Sequence, residues 1–276
     1  MRTALFISVL CMVIVSISFA QAPDRSALEK GVNLLETKVY TEEENARILK
    51  MYENLRVADV SDGLDMVGLP GTGLVNTEIH PDWVDREDLS HIIRGIALTV
   101  RYVPTQRPDR PEPGEDFRKW EGNFYSTYST EAFTSIIKKG DVIVIDDCED
   151  RDIGSIGSNN ILGWHSRGAV GVVTDASSRD TDEVAIEKVP LYLRKKGRGI
   201  RPGRNEIESV NRPVDIGGVL VCPGDVVVAD GDGVVVVPRK VAEDVAKNAQ
   251  AVLEGDKAGR LRLYERLGMP LDSTVK

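Results

Sequence analysis

The chain has 276 residues, 41% of them hydrophobic and 29% charged, the make-up of a globular protein with room for one large domain. Its 35 Lys and Arg against 44 Asp and Glu leave a net charge of −9. That balance excludes a general affinity for nucleic acid, which needs a basic surface, but not a local basic pocket.

At the N-terminus Arg2 precedes an almost continuous apolar run from Ala4 to Phe19, and Ser18-Phe19-Ala20 puts small residues at −3 and −1 of a cleavage site. The run is short for a spanning helix, so residues 1–20 read as a secretory signal peptide cut after Ala20. The expected product is exported, periplasmic or secreted, with no membrane attachment after cleavage. Cys11 lies inside the apolar run. The mature chain keeps Cys148 and Cys222, each beside a Val/Ile-rich strand, and two buried free thiols are expected. Export would also let them oxidise. His80, His91 and His165 are scattered, which argues against a His-rich metal centre.

Residues 21–40 form a polar, partly helical leader, and the main domain is expected over 41–276. Thr41 with Glu44 three residues on is a capping box, followed by Ile48, Leu49, Tyr52 and Leu55 on one helical face. Val57 to Met66 predicts a second helix, broken by Pro70-Gly71-Thr72-Gly73. Ile92 to Val103 predicts a strand with Gly95 as a bulge. Pro104 to Gly122, rich in Pro, Arg and acids, reads as an inserted surface loop: a solvated excursion, or a lid or intersubunit arm. Ser129 to Lys138 reads as a helix.

Two segments then echo each other. Lys139-Gly140-Asp141 leads into Val142 to Asp147, and Pro223-Gly224-Asp225 into Val226 to Asp230. Each is a Gly-Asp turn feeding an apolar run, as in a strand buried on both faces. The second continues through Gly231-Asp232-Gly233 into Val234 to Val237, a hairpin ended by Pro238. From Lys240 the pattern is helical, with Val241, Val245, Ala249 and Val252 about one turn apart. Strands and helices mix throughout, which predicts an α/β domain with layered sheets.

Between the two echoes lies the most informative stretch, Gly157 to Glu183. Gly157-Ser158-Asn159-Asn160 opens a helix, and a buried strand through Gly171 to Asp175 ends near Arg179-Asp180. A helix N-terminus binds anions, Arg grips carboxylates with two parallel hydrogen bonds, and Asp holds hard divalent cations. Together they make a site for a small metal-bound carboxylic acid.

The sequence here resembles the RraA-like family, which includes 4-hydroxy-4-methyl-2-oxoglutarate aldolases and the regulator of ribonuclease activity A. The resemblance rests on Gly157, Ser166-Arg167-Gly168, Val170 to Asp175, Arg179-Asp180-Thr181-Asp182-Glu183 and the hairpin at 223–238. The aldolase motif is an acid after a glycine, twenty residues, Arg-Asp, two residues and an acid. Twenty residues separate Ser158 from Arg179, and Glu183 falls on the final acid. The departure is Ser158, which stands where the acid is expected.

The resemblance implies a layered β/β/α swivelling-domain fold of the phosphohistidine-domain type, assembled as a homotrimer or dimer of trimers with the site between subunits. It implies a lyase using Mg²⁺ or Mn²⁺, either an aldolase cleaving a 4-hydroxy-2-oxo acid to pyruvate or an oxaloacetate decarboxylase, through a metal-stabilised enolate. Asp180 would ligate the metal, Arg179 would contact the 2-oxo acid, and the N–H groups of Asn159 and Asn160 would hold its carboxylate. Ser158 would occupy the place of the catalytic acid. Glu254 of a neighbouring subunit, or alternatively Asp256, would bind a metal-held water. Two other functions fit the resemblance: a regulator of ribonuclease E, which export disfavours, and an exported small-acid-binding protein without turnover.

Overall fold

The computed structural model describes residues 25–147 and 152–275. The expected signal peptide at 1–20 and Cys148 lie outside the described residues. Residues 25–36 belong to a unit of their own, containing α1 (Arg25–Lys30) with an Arg25–Glu29 ion pair one turn apart. The main body begins at Thr37. Tyr40, placed in the leader by sequence, belongs to this body, where Arg239 lies 4.2 Å over its ring.

The body opens with α2 (Glu42–Tyr52), and Thr41 and Glu44 form the expected reciprocal cap at 3.2 and 2.8 Å. Helix α3 (Val57–Met66) has the expected bounds and ends at Gly68, whose φ of +79° suits a residue without Cβ. The short β1 (His80–Pro81) precedes β2 (Ile93–Pro104), the spine of the sheet. The bulge in β2 lies between Arg101 and Tyr102 instead of at Gly95. Gly95 has another purpose: a Cβ there would meet Val142 Cγ2 at 2.5 Å and the Gly140 carbonyl at 2.7 Å.

The insertion is only partly a loop. Its second part is α4 (Phe117–Thr127), capped by Asp116, whose carboxylate accepts from Lys119 N at 2.9 Å. Phe117, Trp120, Phe124 and Tyr128 stack at 5.3 to 5.8 Å down one side of it. The expected helix at 129–138 is a 3-10 turn over Ala132–Ile136. Strand β3 (Asp141–Asp146), helix α5 (Ser158–Ser166), strand β4 (Gly171–Ser178), helix α6 (Thr181–Glu187) and strand β5 (Leu191–Lys196) follow as βαβ units. Then come β6 (Asn205–Val210), the hairpin of β7 (Val214–Ile216) and β8 (Val219–Val221), and the hairpin of β9 (Val226–Asp230) and β10 (Gly233–Val237). Helix α7 (Ala242–Leu267) closes the fold. Its buried face uses Val245, Ala249 and Leu253; Val252, expected on that face, is only partly buried.

The main sheet runs β1-β5-β4-β3-β2-β9-β10, with β6 also on β2. Strands β2 to β5 are parallel and the other pairs antiparallel. The end strands β1 and β10 approach each other, so the sheet is nearly a closed barrel. Alternation along the strands sorts side chains to two faces. Val227 and Ala229 of β9 and Val142 and Val144 of β3 fill the interior with the β7–β8 hairpin. Val226 and Val228 face outward under α2, α3 and α7, while Ile143 and Ile145 face outward under α5 and α6. This is the mixed, layered α/β architecture expected.

The two echoed Gly-Asp turns are structurally equivalent and meet on β2. Gly140 and Gly224 both have φ of +91°. Ile96 N donates to Gly140 O, and Ala97 N donates to Asp225 O, each at 2.9 Å. No helix among the described residues is long and apolar enough to cross a membrane.

Candidate functional site

Two segments converge beyond the C-terminal ends of β3 and β4, where ligands bind in open α/β sheets. One is the Gly157 turn that starts α5; the other is Arg179-Asp180, which ends β4 and starts α6. They are stitched together. Arg179 N donates to Ile156 O at 2.8 Å, and Ser178 Oγ donates to the same carbonyl at 2.7 Å. This fixes Gly157 beside the Arg-Asp pair that sequence spacing picked out.

Asp180 stands at the N-cap of α6, where a carboxylate usually accepts a backbone N–H. It makes no such bond. Its backbone is left-handed, with φ +58° and ψ +35°, a strained choice for a residue with Cβ that Asp tolerates better than most. The carboxylate instead approaches Gly157: a Cβ on that glycine would lie 2.7 Å from Asp180 Oδ2. The absence of a side chain at 157 therefore makes room for the acid against the positive end of α5.

Arg179 lies alongside. Its Nε is 3.9 Å from Asp180 Oδ2, an ion pair too long for a hydrogen bond. That nitrogen is buried and has no hydrogen-bond partner, and the aliphatic stem packs over Gly154. A buried guanidinium nitrogen with nothing to donate to is costly and fits a site meant for an anion.

The predicted anion turn is more elaborate than the sequence implied. Asn159 is exposed and Ser158 is buried in the first turn. Asn160 N already donates to Gly157 O at 3.1 Å. The Asn160 side chain accepts from Gly157 N at 3.1 Å and donates to Glu131 Oε1 at 2.5 Å. Glu131 also accepts from Trp164 Nε1 at 2.9 Å, and Arg201 Nη1 lies 3.7 Å from its Oε1. Glu131 and Arg201 carried no sequence signal. One precedes a 3-10 turn and the other sits in a Gly/Arg-rich loop, so neither falls on a periodic face.

Glu254 is not brought to Asp180 within one chain. It lies exposed on α7, in the helical layer with α2 and α3, and accepts from Gln250 at 3.2 Å. Asp256, the alternative, is engaged by Arg56 at 2.8 Å. Among the described residues no three His, Cys, Asp or Glu converge as a metal centre. Among the described residues of this chain, a cation on Asp180 would thus have one carboxylate. Magnesium and manganese suit such a donor set, since they keep waters and substrate oxygens as their remaining ligands. The space opened by Gly157 and the half-exposed carboxylate fit that use.

Comparison with known proteins gives the family and the fold. The family model for RraA-like proteins, described as Aldolase/RraA, matches residues 57–236. The chain belongs to the RraA-like family. Similar proteins include the Legionella pneumophila protein DlpA, 26% identical over 215 residues that cover 74% of this chain and 30% of DlpA. Another is a Halalkalibacterium halodurans protein provisionally named a 4-hydroxy-4-methyl-2-oxoglutarate aldolase, 35% identical over 124 residues. That match covers 43% of this chain and 56% of the relative. The chain therefore spans about a third of the one relative and about half of the other. A crystal structure of an uncharacterized Pseudomonas syringae pv. tomato protein matches with a TM-score of 0.63 and 27% identity, covering 83% of this chain and 92% of that one. The RraA-like fold is thus shared over most of the body, and the name of one relative supports an aldolase reading.

Proposed function

We propose that this RraA-like chain is a divalent-metal-dependent carbon–carbon lyase that releases pyruvate from a 4-hydroxy-2-oxo acid or from oxaloacetate. The observation that carries the proposal is Asp180, turned by its left-handed backbone toward the Gly157 turn and flanked by the unpartnered Nε of Arg179.

In this reading Arg179 binds the carboxylate and oxo oxygens of the 2-oxo acid, and the Asn159 end of α5 adds its positive field. Asp180 would hold Mg²⁺ or Mn²⁺, which when bound would supply Lewis-acid stabilisation of negative charge on the 2-oxo oxygen. Arg179 adds to that stabilisation from a fixed position, at no cost of reorganisation. The 4-hydroxyl proton must leave for the aldol bond to break. Ser158 has no carboxylate to take it, so the basic group is a water oriented by Glu254 of a neighbouring chain in a homotrimer. Oxaloacetate needs no such base, because loss of CO₂ produces the same pyruvate enolate directly; in both reactions a proton delivered from water to C3 completes pyruvate.

The test is pyruvate release from oxaloacetate and from 4-hydroxy-2-oxo acids, with Mg²⁺ or Mn²⁺ and with chelator. Release that stops with chelator and returns with metal supports the proposal. No metal-dependent release from any of these substrates sinks it, and metal-dependent binding alone would leave an acid-binding protein.

A further inference from the structure

Arg201 is an unusual residue for a loop. It is 2% exposed, yet two of its three guanidinium nitrogens, Nε and Nη2, are buried without a hydrogen-bond partner. Only Nη1 is engaged, donating to the Tyr102 hydroxyl at 2.9 Å, and the guanidinium lies 4.5 Å over the Tyr102 ring. The carboxylate of Glu131 stands 3.7 Å from Nη1 and accepts its hydrogen bonds from Asn160 and Trp164 instead. A buried charge left this incompletely paired is expensive, and replacing such a group by an apolar one commonly stabilises a protein. Nε and Nη2 are also not a random pair. They form one edge of the guanidinium, with the spacing that takes both oxygens of a carboxylate.

This edge is close to the Arg179–Asp180 site. Glu131 bridges the two: 3.7 Å from Arg201 on one side, it is bonded through Asn160 to Gly157 on the other. Tyr125 of α4 lies against the Arg201 backbone and feels the charges of both Arg201 and Arg179. Helix α4 buries only Phe124 along its whole length, so few buried side chains anchor it.

We propose that Arg201 is a carboxylate-binding residue, its Nε–Nη2 edge taking a second carboxylate of a ligand whose 2-oxo acid end lies at Arg179 and Asp180. The position of the first end rests on the function proposed above; the anion-binding edge of Arg201 does not. Because the edge is buried in the ligand-free protein, some neighbouring element must shift for the carboxylate to enter; α4, whose Tyr125 lies against the Arg201 backbone, is the candidate, and its Trp120 would report that movement by fluorescence.

The experiment compares equilibrium binding of 2-oxoglutarate and 2-oxopentanoate, equal in length but ending in carboxylate and methyl, with Mg²⁺ present. The full chain is expected to bind 2-oxoglutarate at least about tenfold more tightly, roughly one charge-assisted contact. Arg201→Met should bring the two affinities together by weakening 2-oxoglutarate alone, without lowering the melting temperature of the free protein. Arg201→Lys, which keeps the charge and loses the fork, should fall between. Equal affinities in the unmodified chain, or binding of neither acid, overturn the proposal even if no variant folds. So does a parallel loss of both acids with a lower melting temperature in Arg201→Met, the mark of a structural arginine. A carboxylate preference without pyruvate release removes the lyase reading and keeps this site; release with no preference does the reverse.

Discussion

Asp180 Oδ2 occupies the space beside Gly157 that any β-carbon would invade, at 2.7 Å. The Gly157 φ of −109° is open to every residue, so alanine fits its backbone. Gly157→Ala should therefore fold with a melting temperature within a few degrees of the parent. Its carboxylate at 180 must swing away, and metal-dependent pyruvate release should fall by about a hundredfold or more, since misplacements of about 1 Å cost that much. Near-normal release with an intact fold would show that Asp180 needs no contact with the α5 turn.

Asp180 itself calls for two variants, because its backbone and its charge do separate things. Asp180→Asn keeps a side chain that tolerates the left-handed conformation and removes the charge. It should keep its stability and lose metal-dependent turnover. Asp180→Ala should lose turnover too and also destabilise by about 1 kcal/mol, because alanine at φ +58° is strained. Chelator-sensitive turnover in either variant would remove Asp180 from the metal site.

For Arg179 the relevant change is lysine. Lysine keeps the charge but cannot reproduce a two-pronged contact. Arg179→Lys should raise KM for the 2-oxo acid by about tenfold, the worth of one such contact, and leave the unfolding midpoint unchanged. An unaltered KM would place the substrate carboxylate elsewhere.

Much of the frame was legible because it depends on local rules. The Thr41–Glu44 cap, the bounds of α3 and the β9–β10 hairpin follow from capping and turn chemistry. The repeated Gly-Asp turns announced two doubly buried strands. The site was legible where chain neighbours carry it, at Gly157 and at Arg179-Asp180. It was not legible where the partner comes from a distance. Glu131 reaches Asn160 across 29 positions, and no local pattern marks it. The helix expected at 129–138 failed because only Phe133 of Ala132–Ile136 is buried, too little apolar face to propagate past a 3-10 turn. Conversely, α4 was masked by the Pro-rich approach to its Asp116 cap.

Asp141 sets a pH dependence of stability. Burial raises its carboxyl from 3.8 to about 6, although Lys138 N donates to it at 2.7 Å. The folded state then holds this proton more tightly than the unfolded chain. Its contribution is fully present below about pH 4 and is lost as pH rises through about 6. An asparagine side chain at this position could accept the same backbone N–H without the buried charge. Asp141→Asn should therefore gain stability over the parent between pH 4 and pH 7, by an order of about 2 kcal/mol. Urea unfolding midpoints of the two proteins at pH 4.5 and pH 7.5 check this; a gap that does not widen with pH would refute it.

The remaining prediction concerns what one chain lacks. Within a chain, Glu254 is separated from Asp180 by layer, while Asp256 is tied to Arg56 at 2.8 Å. If a neighbour's Glu254 completes the site, Glu254→Gln should lose most cleavage of 4-hydroxy-2-oxo acids and keep oxaloacetate decarboxylation, while Asp256→Asn should mainly loosen the end of α7. Asp180→Asn and Glu254→Gln chains would then both be inactive in the aldol cleavage, for reasons located on opposite sides of one interface. In a head-to-tail ring formed from equal amounts of both, about one site in four joins an intact Asp180 to an intact Glu254. Unfolding and refolding the two inactive proteins together should restore up to about a quarter of the parent activity, while each refolded alone stays inactive. Mixtures that remain inactive after forming hybrid oligomers would mean that Glu254 does not reach a neighbour's Asp180, and that proton transfer must be sought in this chain's own Glu131 and Ser158.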